Sequence, residues 1–296
     1  MERRELAPHL RLGQDGHQRQ YDPANHPYVA GNGFDDDEAY ALYFTLKSIK
    51  NHELDLYYFF WNGHNGAAQG TFGHTLGVGV EMYAHVFGAR LGGKFPDVAA
   101  GLDYNVEVAY ETGDLDGLAV DVDGLTAEGT LGITFDAESK FRLYFMALYA
   151  EGFDGNQSGY VPLFPERHAQ TNWADHTARM ARWGIMDIMP MANVIAFQLG
   201  ATFRPDPDWI LGLTAIYGWH DEDVTTIDAT TDDGIGFEID LFAEHRVSDT
   251  TTLGFGLGIF VPDEGAPLGN GTIGTNFVGN DDSIAVLLYM QARVAF

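Results

Sequence analysis

Residues 102–113 read LDYNVEVAYETG. Leu102, Tyr104, Val106, Val108 and Tyr110 take alternate positions, and Asp103, Asn105, Glu107, Ala109 and Glu111 take the others. Successive side chains of a β-strand point to opposite faces, so this stretch is a strand with one apolar, aromatic face and one charged face. The same period recurs in 139–150, 194–204, 235–246 and 284–296. In 235–246, Ile235, Phe237, Ile239 and Leu241 oppose Glu238, Asp240, Glu244 and Arg246. Further strands are predicted near 38–48, 53–62, 75–95, 123–136, 209–220 and 252–261. One stretch, 173–183, suggests a short helix inside a loop. The fold class is therefore all-β and antiparallel.

Charge removes several functions. The chain has 296 residues with 16 Lys and Arg against 43 Asp and Glu, a net charge of −27. Such a surface repels phosphate backbones, which excludes nucleic acid as a partner. With no cysteine, neither a disulfide scaffold nor a thiolate metal site can form. No apolar run approaches the roughly 18 residues of a membrane-spanning helix. The opening MERRELAPHLRLG (1–13) also lacks the apolar core of a secretory signal. A membrane barrel escapes both tests, because its apolar residues lie at alternate positions.

The connections favour that barrel. Segments 49–53, 96–101, 136–139, 205–208 and 247–251 are short, whereas 63–74, 112–122, 151–190, 221–234 and 262–282 are long and rich in Gly, Asp and Asn. Short turns at one end and long loops at the other mark outer-membrane barrels, with the short turns on the periplasmic side. Trp209 and Trp219 share parity and bracket one strand. At a rise of about 3.3 Å per residue and a tilt of about 40°, they stand roughly 25 Å apart in height, the spacing of two aromatic girdles. Tyr110, Tyr149 and the final Phe296 are further girdle positions. The expected fold is an antiparallel transmembrane β-barrel over 38–296, about 12 strands in this chain, preceded by a segment 1–37 that is one strand or a loop. Eleven strands are clear in the pattern, and such barrels hold an even number. Either 3–13 supplies another strand or the sequence begins inside a longer protein; the second is the expectation here.

Several segments then resemble one family. DLYYFFWNG (55–63), GLDYNVEVAYETGDLDG (101–117), PLFPERH (162–168), LGATFRPDPDWILGLTAIYGW (199–219) and GFEIDLFAEHRVSDTTTLGFGLGIFVP (236–262) are similar, in sequence and in order, to the C-terminal part of the alginate export family of outer-membrane β-barrels. The resemblance covers roughly 38–296. It implies a larger barrel of about eighteen strands, and passive export of an anionic polysaccharide through a lumen rich in basic residues.

The residues themselves give a mixed lumen. Lys47, Arg90, Lys140, Arg142, Arg204, Arg246 and Arg293 have inward parity and, Arg90 apart, lie near the short turns or the C-terminus, as a basic collar. Inward acidic and polar residues, Asp55, Asp103, Asn105, Glu107, Glu111, Glu128, Glu238, Asp240 and Glu244, lie mostly further up the strands. A basic mouth attracts a polyanion through the focused field of a narrow channel, and the acids oppose it. Cross-strand pairing of the two sets is the plainer role. Loop 151–190 is far longer than ordinary connections. Its Arg167, Arg179 and Arg182 are the expected constriction of the pore.

No other chemistry stands out. The acidic stretches 34–38 and 220–233 offer oxygens to Ca²⁺, but neither has EF-hand spacing, and no cofactor is expected. No motif sets a nucleophile against a histidine and a third group, so the expectation is a channel and not an enzyme. The expected partners are outer-membrane lipid, lipopolysaccharide, a saccharide cargo and the barrel assembly machinery, the last through the closing strand LLYMQARVAF (287–296). The function reading is a passive outer-membrane channel for a polar, anionic saccharide. The alternatives are a structural or adhesive barrel and a general porin.

Overall fold

A computed structural model of the chain describes residues 38–63, 81–97, 101–116, 120–135, 139–153, 158–162, 182–225, 231–263 and 283–294. The segment 1–37, Arg167, Arg179 and Phe296 lie outside the described residues. Those described form one antiparallel sheet: β1 (Glu38–Leu46), β2 (His52–Gly63), β3 (Glu81–Phe95), β4 (Leu102–Asp116), β5 (Val120–Thr134), β6 (Arg142–Ala150), β8 (Val194–Phe203), β9 (Trp209–Thr225), β10 (Thr231–Ser248), β11 (Thr251–Pro262) and β12 (Ala285–Val294). Between β6 and β8, β7 (Ser158–Gly159) pairs parallel with β5. Each long strand pairs with its chain neighbour, so the sheet is a meander whose edges, among the described residues, are β1 and β12.

The two faces follow the alternation, in a sense opposite to that of a water-soluble protein. The outward face is apolar and exposed: Val106, Val108 and Tyr110 on β4, Leu211, Leu213 and Tyr217 on β9, and Leu288 and Met290 on β12, at 79% and 74% exposure. The inward face buries Asp55, Glu111, Arg142, Gln198, Thr214, Glu238, Asp240 and Glu244. Only a hydrocarbon solvent makes the first arrangement favourable, and only a polar lumen the second. The sheet is the wall of a transmembrane β-barrel.

Its curvature is set from inside. Arg182 and Trp183 bond Glu128 on β5, while Ile185 and Met186 bond Asp240 and Glu238 on β10. Four strand steps separate β5 from β10 along the sheet, about 19 Å if it were flat. A few consecutive residues meet both strands because the wall curls around them.

Three expectations are corrected. Segment 112–122, read as a long loop, is largely hairpin: β4 continues to Asp116 and β5 starts at Val120. Segment 220–233 likewise places 220–225 in β9 and 231–233 in β10. Beyond the membrane a strand has no need of apolar alternation, and the β-branched Val224, Thr225 and Thr231 suit extended backbone. Ile235, assigned to the lipid face, is fully buried inside. The β9–β10 register shifts between Asp232 and Gly236, with Gly236 at φ 132°, and this bulge flips the parity of Ile235.

Candidate pore interior

Interior side chains repeatedly reach past the adjacent strand, over a glycine. Arg142 on β6 crosses Gly132 of β5 to bond Asp103 on β4 at 2.6 Å. Tyr57 on β2 covers Gly88 of β3, and its hydroxyl donates to Glu107 on β4 at 2.7 Å. A Cβ at either glycine would collide with the crossing side chain. On the outer face, His52 crosses Gly93 in the same way to meet Tyr104, 3.0 Å away.

The basic collar is in place as positions but not as open charge. Lys47 pairs with Glu53 at 2.8 Å, and Arg90 with Asp55 at 2.9 Å and Glu53 at 3.5 Å. Arg90 also donates to Asn105 at 2.7 Å. Arg142 pairs with Asp103, Arg246 with Asp208 at 2.8 Å, and Arg293 with Glu244 across β11. Arg204, buried just beyond β8, donates to the Pro207 carbonyl at 2.7 Å, and Lys140 sits in the turn before β6 at φ 43°. Five of the seven basic positions thus face a carboxylate, and their pull on a distant polyanion is correspondingly weakened.

Glu128, Glu238 and Asp240 hold residues 182–186 of the long loop inside the barrel. Glu128 accepts from the Arg182 guanidinium and from the Trp183 indole N–H at 2.9 Å. The Ile185 N–H donates to Asp240 at 3.2 Å, as does the Thr214 hydroxyl at 3.1 Å. The Met186 N–H donates to Glu238 at 3.1 Å. Gly184, at φ 94°, lets the backbone turn against Glu238, where a side chain would meet the carboxylate. Trp183, Ile188 and Met189 then pack on inward Met146, Leu148, Val194, Ala196, Ile216, Ile235 and Phe260. The described part of the constriction, 182–193, is therefore an apolar plug anchored by carboxylates. Arg182, one of the three arginines expected in the constriction, supplies an ion pair to it, and Arg167 and Arg179 lie outside the described residues.

On the wall of β1 to β4 the interior leaves a cavity of about 450 Å³, lined by Tyr43, Tyr57, Phe59, Arg90, Glu107, Glu111 and Tyr160. The rings of Tyr43 and Tyr57 stack at 5.9 Å and 3°. Glu111 is fully buried; one oxygen accepts the Val161 N–H at 2.9 Å, and the other has no hydrogen-bond partner. Burial, with Glu111 and Glu107 nearby, pushes the Tyr160 phenol up, so it remains a neutral donor at physiological pH.

The girdle positions divide between the two rims. Trp209 stacks on His245 at 4.3 Å near the 205–208 turn. Trp219 meets Phe197 and Tyr217 at the other end of the same strand. Tyr110 bonds Asp123, and Tyr149 bonds Asp221 at 3.4 Å. Sequence reasoning missed His85, whose two nitrogens meet the hydroxyls of Tyr58 and Tyr83 at 2.8 Å on the outer face. It also missed the neutral interior residues Tyr57, Thr214 and Tyr160, for the first two of which strand parity was the available signal, whereas Tyr144 and Gln198 lie on the inward side that the alternation assigns them. His220 is buried and bonds the Asn193 carbonyl at 3.0 Å. Asp221 accepts the Gly152 N–H at 3.0 Å. Among the described residues no three His, Asp or Glu side chains gather to hold a metal ion.

Comparison with known proteins matches the alginate export family model to residues 30–273. A search of curated proteins finds no match. Among solved structures the chain is similar to OccK11 (OpdR) of Pseudomonas aeruginosa, at 11% identity over 88% of this chain and 71% of that one, TM-score 0.44. It is also similar to the siderophore receptor PirA of Acinetobacter baumannii, at 8% identity over 78% of this chain and 34% of that one, TM-score 0.33. The P. putida toluene transporter TodX gives 12% identity over 75% and 62%, TM-score 0.29.

Proposed function

The chain belongs to the alginate export family, and from that premise we propose that it is a passive outer-membrane channel for a polar saccharide, without catalytic chemistry of its own. One observation carries the reading. A buried, hydrogen-bonding inner face lies behind an apolar outer face, and residues 182–193 enter that interior and narrow it.

The negative charge of the cargo, expected from the family resemblance and the collar, stays part of the proposal, although five of the seven collar positions face a carboxylate and pull on it less strongly. Lipopolysaccharide and lipid are the proposed surroundings, and the strand at 285–294 is the proposed contact for barrel assembly. Liposomes carrying the full-length protein should swell in isotonic oligosaccharide faster than empty ones. Equal rates would contradict a conduit.

A further inference from the structure

We propose that Glu238 and Asp240 hold one shared proton, and that this proton latches the plug of residues 182–193 in the pore. The inference rests on the conduit reading above, because a latch matters only where the plug closes a path. Glu238 and Asp240 stand two residues apart on the inward face of β10, about 7 Å along the strand. Both are fully buried, and their carboxyl groups lie within hydrogen-bonding reach of each other. Each gives one oxygen to the plug. Glu238 Oε1 accepts the Met186 N–H, and Asp240 Oδ2 accepts the Ile185 N–H and the Thr214 hydroxyl. The other two oxygens, Glu238 Oε2 and Asp240 Oδ1, meet no donor.

Buried acceptors without a hydrogen between them are costly, and adjacent carboxylates sealed from water do not both ionise. One proton answers both needs, because it turns one oxygen into a donor to the other. Glu128, the third anchor of the plug, has the Arg182 guanidinium on one oxygen and the Trp183 indole on the other. Across the strands the pair faces Ile216 and Thr214 of β9 and Phe260 and Gly258 of β11, none of which ionises. The titratable groups acting on it are Asp187 in the plug, Tyr144 on β6 and Tyr289 on β12, and none of these brings a positive charge. Glu244, further along β10, is paired with Arg293. With the plug seated, the pair is dry and holds the proton. With the plug displaced, the pair meets lumen water and both carboxyls ionise. The seated form binds more protons, so raising the pH favours the open pore and lowering it favours the closed one.

The test is the conductance of full-length protein in planar bilayers between about pH 6 and about pH 10, with protease cleavage within 182–193 measured in parallel. The open fraction should rise with pH by up to about tenfold per unit, the limit for loss of one proton. Glu238→Gln should abolish the rise and keep the pore closed. Its amide gives Asp240 a hydrogen that alkali does not remove, and its carbonyl still accepts from Met186. Asp240→Asn should do the same with the roles exchanged, should Glu238→Gln fail to fold. Both variants leave Asp187, Tyr144 and Tyr289 in place, so a rise that survives them belongs to those groups and overturns the proposal. Closure by added calcium at alkaline pH would assign the pair to a metal ion and overturn it as well. Cleavage that rises with pH in the native chain, without conductance at any pH, would keep the latch and remove the conduit. Conductance and cleavage that ignore pH would do the reverse.

Discussion

The Arg142 guanidinium lies over Gly132 and bonds Asp103 two strands away at 2.6 Å. The pair belongs to the wall as well as to the lumen, since it ties β4 to β6 across the inner face of β5. Glycine at 132 is what leaves room for it. Gly132→Val should therefore displace the guanidinium and destabilise the barrel by about 1–3 kcal/mol, the usual cost of forcing bulk into a packed site. The urea midpoint of protein folded in lipid vesicles measures this.

Removing one partner of the same pair should cost more than removing both. The Arg142 and Asp103 side chains are mostly buried, at 8% and 23% exposure. Arg142→Met strands a carboxylate and should cost about 3 kcal/mol or more, whereas Arg142→Met with Asp103→Leu should recover most of that loss. A double-mutant cycle in urea reads the difference.

The lipid face is tested midway between the two tryptophans of β9. Leu213 points outward between Trp209 and Trp219. Leu213→Arg should destabilise by about 2–4 kcal/mol in vesicles, the cost of a cation near the bilayer midplane. The same substitution at Val247, at the end of β10 near the turn, should cost about 1 kcal/mol or less.

Trp183 is the apolar anchor of the plug, buried and hydrogen-bonded to Glu128. Trp183→Ala should cost about 3–5 kcal/mol locally, releasing 182–193 while the wall stays folded. Protease cleavage within that segment should rise, with no change in the urea midpoint of the wall.

The alternation made the wall legible before any coordinates. In β4, β6, β8 and β12 each side chain assigned inward or outward takes that side, because one slipped residue would put charges into lipid. Ile235 was misassigned because Gly234–Gly236 carry a bulge, which adds a residue without altering composition. The hairpins at 112–122 and 220–233 looked like loops because strands beyond the bilayer lose the apolar period. The ion pairs were hidden for a different reason: Arg142–Asp103 and Arg293–Glu244 skip a strand, so neither adjacency nor spacing marks them. The plug was legible as an unusually long loop. Its apolar anchors Trp183, Ile188 and Met189 were not read from the sequence, because a loop carries no period to mark a buried side, and Arg167 and Arg179 lie outside the described residues.

The central claim is a lumen narrowed by the plug. Single-channel conductance in planar bilayers tests it most directly, comparing the native chain with one whose residues 182–193 are replaced by a Gly-Ser linker. A small native conductance that rises in the replaced chain is the expected result. No conductance from either chain, or the same conductance from both, would contradict it.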